Sequence, residues 1–285
     1  MKISSLPWGC VGRKEARPIT ILDWLDMAAG RLDGVEIMDQ WFMPGAPMED
    51  VDRALMAGVQ RRLGELPLEV SAFINHGPHV WKDERRNRIE IDKVRFFMDW
   101  ARELRTKVFR VTTALADPKE GLTEAEGRER FCGMIDLLLP EAKARGMVIG
   151  LEEHVGLAGT VAKIEPILAR LPDPAFGFAF DMKNTLREGE SPLVILEKPR
   201  VMDRVLYVHV DNFRPTPAGW ERSVTVDAGE VDIRRLVLGL KAHGYDGWLS
   251  IEYGGTRVEQ VFHSVEWLRA LWRDAPPADC AARGG

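Results

Sequence analysis

Four ionisable residues close apolar runs in the second half of the chain: Glu152, Asp181, His209 and Glu252. Successive members are separated by 29, 28 and 43 residues. A strand with its following helix takes about 30 residues. The spacing therefore puts the four at the same height on neighbouring parallel strands, the last gap being lengthened by a loop over 212–230. Inward side chains on adjacent strand ends are close enough to share one ion. Three ionised carboxylates crowded beside an imidazole repel one another and raise one another's pKa values unless a cation sits among them. One divalent metal resolves this, and a carboxylate-rich, thiolate-free donor set suits Mn²⁺ first, with Mg²⁺ or Co²⁺ as alternatives. Taken singly, each residue is more often an ordinary structural residue than a metal ligand, and four at matched positions on consecutive strands are what make the ligand reading. Glu152 also has Glu153 beside it. The two-residue period of a strand places Glu152 and His154 on one face and Glu153 on the other, which favours Glu152 as the ligand and His154 as a contact to ligand or substrate.

The elements that must position these residues follow from the hydrophobic pattern. Eight short apolar runs, at 2–7, 34–38, 68–75, 107–113, 147–154, 176–181, 205–211 and 248–253, read as strands. Most are uniformly apolar, as strands covered on both faces are. Between them, apolar residues at three- and four-residue spacing predict helices over 19–29, 50–63, 86–105, 124–144 and 233–242. His243 and His263 are helix residues without catalytic duty. Arg145-Gly146 and His243-Gly244 each end a helix with a glycine suited to a left-handed cap, directly before a strand. Eight strands alternating with helices match a single (β/α)8 TIM barrel, a fold of about 250 residues. The barrel is expected over 1–273, with a flexible Ala/Pro/Gly-rich tail over 274–285. No GxGxxG or GxxxxGK follows an early strand, so the nucleotide fingerprint of a doubly wound sheet is missing.

Composition narrows the function. The 285 residues are 45% hydrophobic and 29% charged, which excludes a disordered or fibrous chain. With 39 basic against 44 acidic residues and a net charge of -5, no overall field attracts nucleic acid or anionic lipid. Cys10, Cys132 and Cys280 are too few and too scattered for a disulfide framework or a thiolate metal site. Residues 1–6 lack the apolar core of an export signal, and no apolar run is long enough for a membrane span. These features predict a cytoplasmic protein with neither a nucleic-acid nor a membrane partner.

Around the same residues the chain resembles the xylose isomerase-like TIM barrel superfamily of sugar phosphate isomerases and epimerases, over nearly its whole length. Gly150-Leu151-Glu152-Glu153-His154 is similar to the family's L-E-N-H, with Glu153 in place of the asparagine. Phe180-Asp181-Met182-Lys183-Asn184 resembles D-T-G-H or D-T-G-N, and Val208-His209-Val210-Asp211-Asn212 resembles H-x-K-D. Gly244-Tyr245-Asp246-Gly247-Trp248-Leu249-Ser250-Ile251-Glu252 is nearly unaltered from G-Y-x-G-x-x-S-x-E. Ala228-Gly229-Glu230-Val231-Asp232 is similar to G-E-G-x-x-D. The resemblance implies that Glu152, Asp181, His209 and Glu252 bind one divalent metal. It also implies that Glu152 and Glu252 transfer protons on opposite faces of a small sugar or polyol, and that the protein forms dimers or tetramers. Asp211 and Asn212 stand where the family has a lysine and an acid, and Asn184 replaces the commoner histidine, so substrate-charge preferences do not transfer.

Trp8, Glu36, His76, His79, Thr112, Arg214 and Tyr253 fall at or just beyond strand ends. With His154, Asn184 and Asp211 they are the candidate substrate contacts, while Arg110 reads as packed or ion-paired inside the barrel. Removing a proton alpha to a carbonyl creates an enediolate, whose charge a metal stabilises while carboxylates serve as base and acid. The implied reaction is aldose–ketose isomerisation or epimerisation. Dehydratases of inososes and dehydroshikimate share the resemblance, and there the same base starts an elimination, so a lyase is the alternative. An AP-endonuclease-like nuclease would need several metals held by many histidines, against six histidines and no basic groove here. A non-catalytic sugar-binding barrel is disfavoured by the presence of all four ligand types.

Overall fold

Apolar runs of four to seven residues, bounded by caps and turns, become strands, and the amphipathic stretches between them become helices that cover the sheet. The computed structural model describes all residues except 13–18, 44–49, 116–118, 120, 155, 218, 222–224 and 275–285. Cys280 and the expected tail beyond Asp274 lie outside the described residues. In chain order the strands are β1 (Lys2–Leu6), β2 (Gly34–Met38), β3 (Glu69–Asn75), β4 (Val108–Val111), β5 (Val148–Glu152), β6 (Phe176–Asp181), β7 (Val205–Val210), β8 (Arg214–Thr216), β9 (Gly219–Glu221) and β10 (Trp248–Glu252). Among the described residues, all but β8 and β9 form one parallel sheet in the order β1-β10-β7-β6-β5-β4-β3-β2. With β1 lying beside β2, that sheet is a nearly closed barrel. The expected (β/α)8 architecture is the observed one. Within the stretch expected as a plain loop after β7, β8 and β9 pair as an antiparallel hairpin.

The helices are α1 (Ile21–Ala28), α2 (Arg53–Glu65), α3 (Glu84–Glu103), α4 (Glu124–Ala144), α5 (Val161–Arg170), α6 (Pro199–Met202), α7 (Ile233–His243) and α8 (Val258–Asp274). Side-chain chemistry fixes their starts: Thr20 with Asp23 and Thr123 with Glu126 form reciprocal capping boxes at α1 and α4. Gly146 and Gly244 turn the chain out of α4 and α7 with φ of 71° and 94°, as their left-handed caps require. The outer core is aromatic on one side, where Phe73 of β3 stacks between Phe97 of α3 and Phe109 of β4.

The barrel interior is polar by layers. At its floor the buried Tyr207 hydroxyl lies 3.0 Å from Ser4 Oγ and 2.8 Å from Ser71 Oγ. One pleat higher, the same face of β7 presents His209. Asp181 pairs across the ladder with His209, Ser250 with His209, and Glu152 with Ala179. The end residues thus step up by two between β5 and β6 and again between β7 and β10. A tilted, staggered barrel needs such steps to keep side chains level around its mouth.

The rim is held by close backbone contact between the loops after β1 and β10. Gly9 N–H donates to Tyr253 O at 3.0 Å, and a Cβ on Gly9 would overlap the carbonyls of Gly254 and Gly255. Gly9→Ala is therefore expected to lower unfolding stability by about 2 kcal/mol. An unchanged urea midpoint would show that this rim contact is looser than described.

Candidate active site

The site is built outward from Glu36, a carboxylate buried in the middle of β2. It accepts from Ser250 Oγ and faces His209 Nε2 across the barrel at 3.0 and 3.1 Å. That pairing fixes the ring, so Nδ1 points toward Glu152 Oε1 at 2.7 Å and Asp181 Oδ2 at 3.8 Å. Glu152 Oε2 lies 2.7 Å from Arg110 Nη2. All of these groups are buried. Burial opposes a charge on His209, but Glu36, Asp181 and Glu152 outweigh it and hold its pKa well above the ordinary imidazole range. Burial likewise opposes ionisation of Glu152, yet Arg110 and His209 keep its carboxyl below the usual range.

A second cluster adjoins the first through Asp181. Its Oδ1 accepts the backbone N–H groups of Lys183 at 2.8 Å and Asn184 at 3.1 Å. The turn so formed brings the Lys183 ammonium 3.2 Å from Asp181 Oδ2 and 2.6 Å from Asp211 Oδ2, in contact with the Glu252 carboxylate. Burial would discharge this lysine, but Asp181, Asp211 and Glu252 together hold its pKa well above the ordinary value. Asp211 is pushed up to about 7, by burial first and then by repulsion from Glu252 and Asp181, which Lys183 only partly offsets.

The first cluster fits a divalent metal. One donor atom each from Glu152, Asp181 and His209 lie within 4.8 Å of one another. The donors are carboxylate oxygen and imidazole nitrogen, suited to a hard or borderline ion. Although charge-paired at 2.7 Å, Glu152 Oε1 and His209 Nδ1 are not aligned as a hydrogen bond, and each lacks a hydrogen-bond partner. The opposite ring nitrogen rests on a carboxylate, the support that metal-binding histidines commonly have. Glu252, expected as the fourth ligand, is turned to Lys183 instead, and its side chain is 14% exposed.

The other sequence candidates divide between this cup and its surroundings. Glu36 sits behind His209, and Asp211 against Lys183. Asn184 is buried, with Nδ2 donating to Glu153 O at 3.0 Å and Oδ1 unpartnered. His154 is half-buried, and burial lowers its pKa. Trp8 is half-buried, its ring against Gly254. His76 Nδ1 lies 2.7 Å from the buried Asp39, a separate pair at the ends of β2 and β3. Arg214 is exposed and donates to Ala228 O at 2.9 Å. Sequence reasoning did not single out Lys183 or Asp39. The signal for Lys183 was a lysine two residues after a strand-ending aspartate. Glu153, immediately after β5, accepts the Asp181 N–H at 2.9 Å. Its carboxyl is raised well above the ordinary range, by burial first and then by Asp181.

A parallel barrel whose C-terminal mouth carries a carboxylate–imidazole cluster able to hold a metal is an enzyme scaffold of a recognisable kind. The chain belongs to the xylose isomerase-like TIM barrel family, whose model matches residues 28–271. The structure is similar to a D-tagatose 3-epimerase-like protein, with a TM-score of 0.72 and 18% identity over 96% of this chain and 97% of that one. It is also similar to the IolI protein solved with a bound zinc atom, with a TM-score of 0.69 and 15% identity over 96% and 98% of the two chains. In sequence, 151 residues are 26% identical to an inosose dehydratase of Lacticaseibacillus casei, covering 48% of this chain and 50% of that protein. That match spans half of the relative's length. Among the described residues no helix is long and apolar enough to cross a membrane.

The loop after β3 supplies a pH test away from the metal cluster. His79 Nδ1 is buried without a hydrogen-bond partner. Burial, then Lys93 and His76, lowers its pKa below the ordinary 6.5 despite an opposing pull from Glu90. Below about pH 6.5 the unfolded chain binds the proton more readily than the folded one, so stability falls as the pH drops. His79→Gln removes that proton uptake and should flatten the decline in melting temperature between neutral and acidic pH. Parallel melting curves for the two proteins would count against it.

Proposed function

We propose that the protein is a divalent-metal-dependent isomerase or epimerase of a small sugar or related polyol, acting by proton transfer alpha to a carbonyl. The observation that carries the reading is the convergence of Glu152, Asp181 and His209 beneath a mouth that also holds Glu252. Glu152, Asp181 and His209 would hold the ion, which supplies Lewis-acid polarisation of the substrate carbonyl and offsets charge developing on its oxygen. Mn²⁺ is the first choice, with Mg²⁺ or Co²⁺ as alternatives, because the donor set is rich in oxygen and has no thiolate.

The protein's own residues do the rest. Glu252, more open to solvent than the buried triad and oriented by Lys183, takes the proton from carbon. Glu152, kept ionised by Arg110, would face the substrate from the other side. For epimerisation it takes a proton from solvent and delivers it to the opposite face of the same carbon, while Glu252 keeps the proton it removed; for isomerisation Glu252 itself passes its proton to the neighbouring carbon. Glu36 fixes the ring of His209, so that the site is assembled before substrate arrives and little reorganisation is left for the reaction itself. Asp211, Asn184, His154, Trp8 and His76 are the remaining candidates for contacts to substrate hydroxyls. The catalytic domain on this reading is 1–273.

A second reading is a dehydratase, favoured by the match to the inosose dehydratase. It uses the same proton removal by Glu252, followed by loss of a neighbouring hydroxyl instead of reprotonation at carbon. Incubation with a panel of ketoses and cyclic polyols in D₂O separates the two. Deuterium at the alpha carbon of an epimer or isomer marks the first, and loss of water marks the second. Chelation should abolish turnover and Mn²⁺ restore it, and Glu252→Gln should lower kcat about 10²- to 10⁴-fold. Turnover untouched by chelation, or undiminished in the Gln variant, would refute the mechanism.

A further inference from the structure

We propose that Lys183 is a built-in rival to the metal: its ammonium takes the fourth ligand, Glu252, out of coordination, leaving an ion held by three residues and a glutamate base free of the metal. The inference rests on the reading of Glu152, Asp181 and His209 as a metal triad. What it adds is the division of the mouth into two adjacent cation positions.

Three observations carry it. The ammonium is surrounded by carboxylates from the ends of β6, β7 and β10. These include Asp181 and Glu252, two of the four residues, three acids and an imidazole, whose spacing predicted a single shared ion. The two positions also overlap in one atom. Asp181 Oδ2 lies 3.2 Å from the Lys183 ammonium and 3.8 Å from His209 Nδ1, so any ion at the triad shares that oxygen with a fixed positive charge. Finally, the lysine is locked in place. Its side chain is 3% exposed, and Asp181 Oδ1 holds the backbone N–H groups of both Lys183 and Asn184.

The sequence pattern agrees. Lys183 stands at the glycine of the D-T-G-N pattern, and Asp211 stands at the lysine of H-x-K-D. A lysine has in effect moved from the β7 position to the β6 position, an acid stands where it was, and the two side chains meet at 2.6 Å. With glycine at 183 the ammonium that contacts Glu252 would be absent. A lysine there repels a nearby divalent ion and supplies a counter-charge for Glu252 in place of the metal.

The test is equilibrium binding of Mn²⁺ to the full-length protein without substrate, read by electron paramagnetic resonance of the free ion. Lys183→Gly and Lys183→Met should each bind Mn²⁺ about 10- to 100-fold more tightly than the wild type. The methionine variant keeps the apolar stem in case glycine unsettles the turn. Glu252→Gln should change the wild-type affinity by less than about threefold, yet should undo most of the gain when added to Lys183→Gly. Equal or weaker binding by both Lys183 variants, or a large loss on Glu252→Gln alone, would overturn the proposal while leaving the triad intact. Failure of every variant to bind Mn²⁺ would overturn the metal reading along with it.

Discussion

The structure turns on a surplus of negative charge enclosed at the mouth of the barrel. Glu36, Glu152, Asp181 and Asp211 are buried and Glu252 nearly so, while Arg110, Lys183 and His209 are the basic groups in contact with them. Carboxylates withdrawn from water persist as ions only where opposite charge or hydrogen-bond donors replace the lost hydration. With His209 neutral, as a ligand must be, two fixed cations among the described residues face Glu36, Glu152, Asp181 and Glu252, together with Asp211, whose pKa is pushed up to about 7. A divalent ion reduces the imbalance without an added side chain, and each placement in the cup follows from that constraint.

The fold meets this constraint in tiers. Strand stagger levels the end residues, and the hydroxyl floor of Tyr207, Ser4 and Ser71 gives the polar interior partners below them. Glu36, itself held by Ser250, then orients His209 from behind, so the direction of the ring's Nδ1 is set by a neighbour on its far side. Such support is what holds a site to sub-ångström geometry. The loop below α7 is pinned the same way. Asn212 Nδ2 donates to Val226 O and Val231 O, at 2.8 and 3.1 Å. A side chain at Gly229 would strike the Asn212 amide. Asn212 thus holds the loop.

Much of this was legible in the sequence, and for physical reasons. Apolar runs with polar residues only at their C-terminal ends have few interpretations, so β5, β6, β7 and β10 and the residues that close them could be read from spacing. Glu36 was visible as a glutamate inside Val35-Glu36-Ile37, but whether it faced substrate or His209 depends on a cross-barrel contact that no local pattern encodes. Lys183 was hidden for a different reason. A lysine in a strand–helix connection is ordinarily solvated, and only the backbone bonds from Asp181 turn this one inward. Helix α5, ten residues long with Pro166 inside it, was not among the helices read from the sequence. The cap from Thr160 to the Lys163 N–H at 3.1 Å secures its first turn regardless. The β8–β9 hairpin carried no alternating pattern long enough to be recognised.

The account is tested most directly by the anomalous diffraction of a Mn²⁺-soaked crystal. It predicts one peak at roughly 2.0–2.3 Å from a carboxylate oxygen of Glu152, one of Asp181 and Nδ1 of His209. In the same map the Glu252 carboxylate should still rest on the Lys183 ammonium. A map with no peak among those three residues, or with the ion bound elsewhere in the barrel, would contradict it.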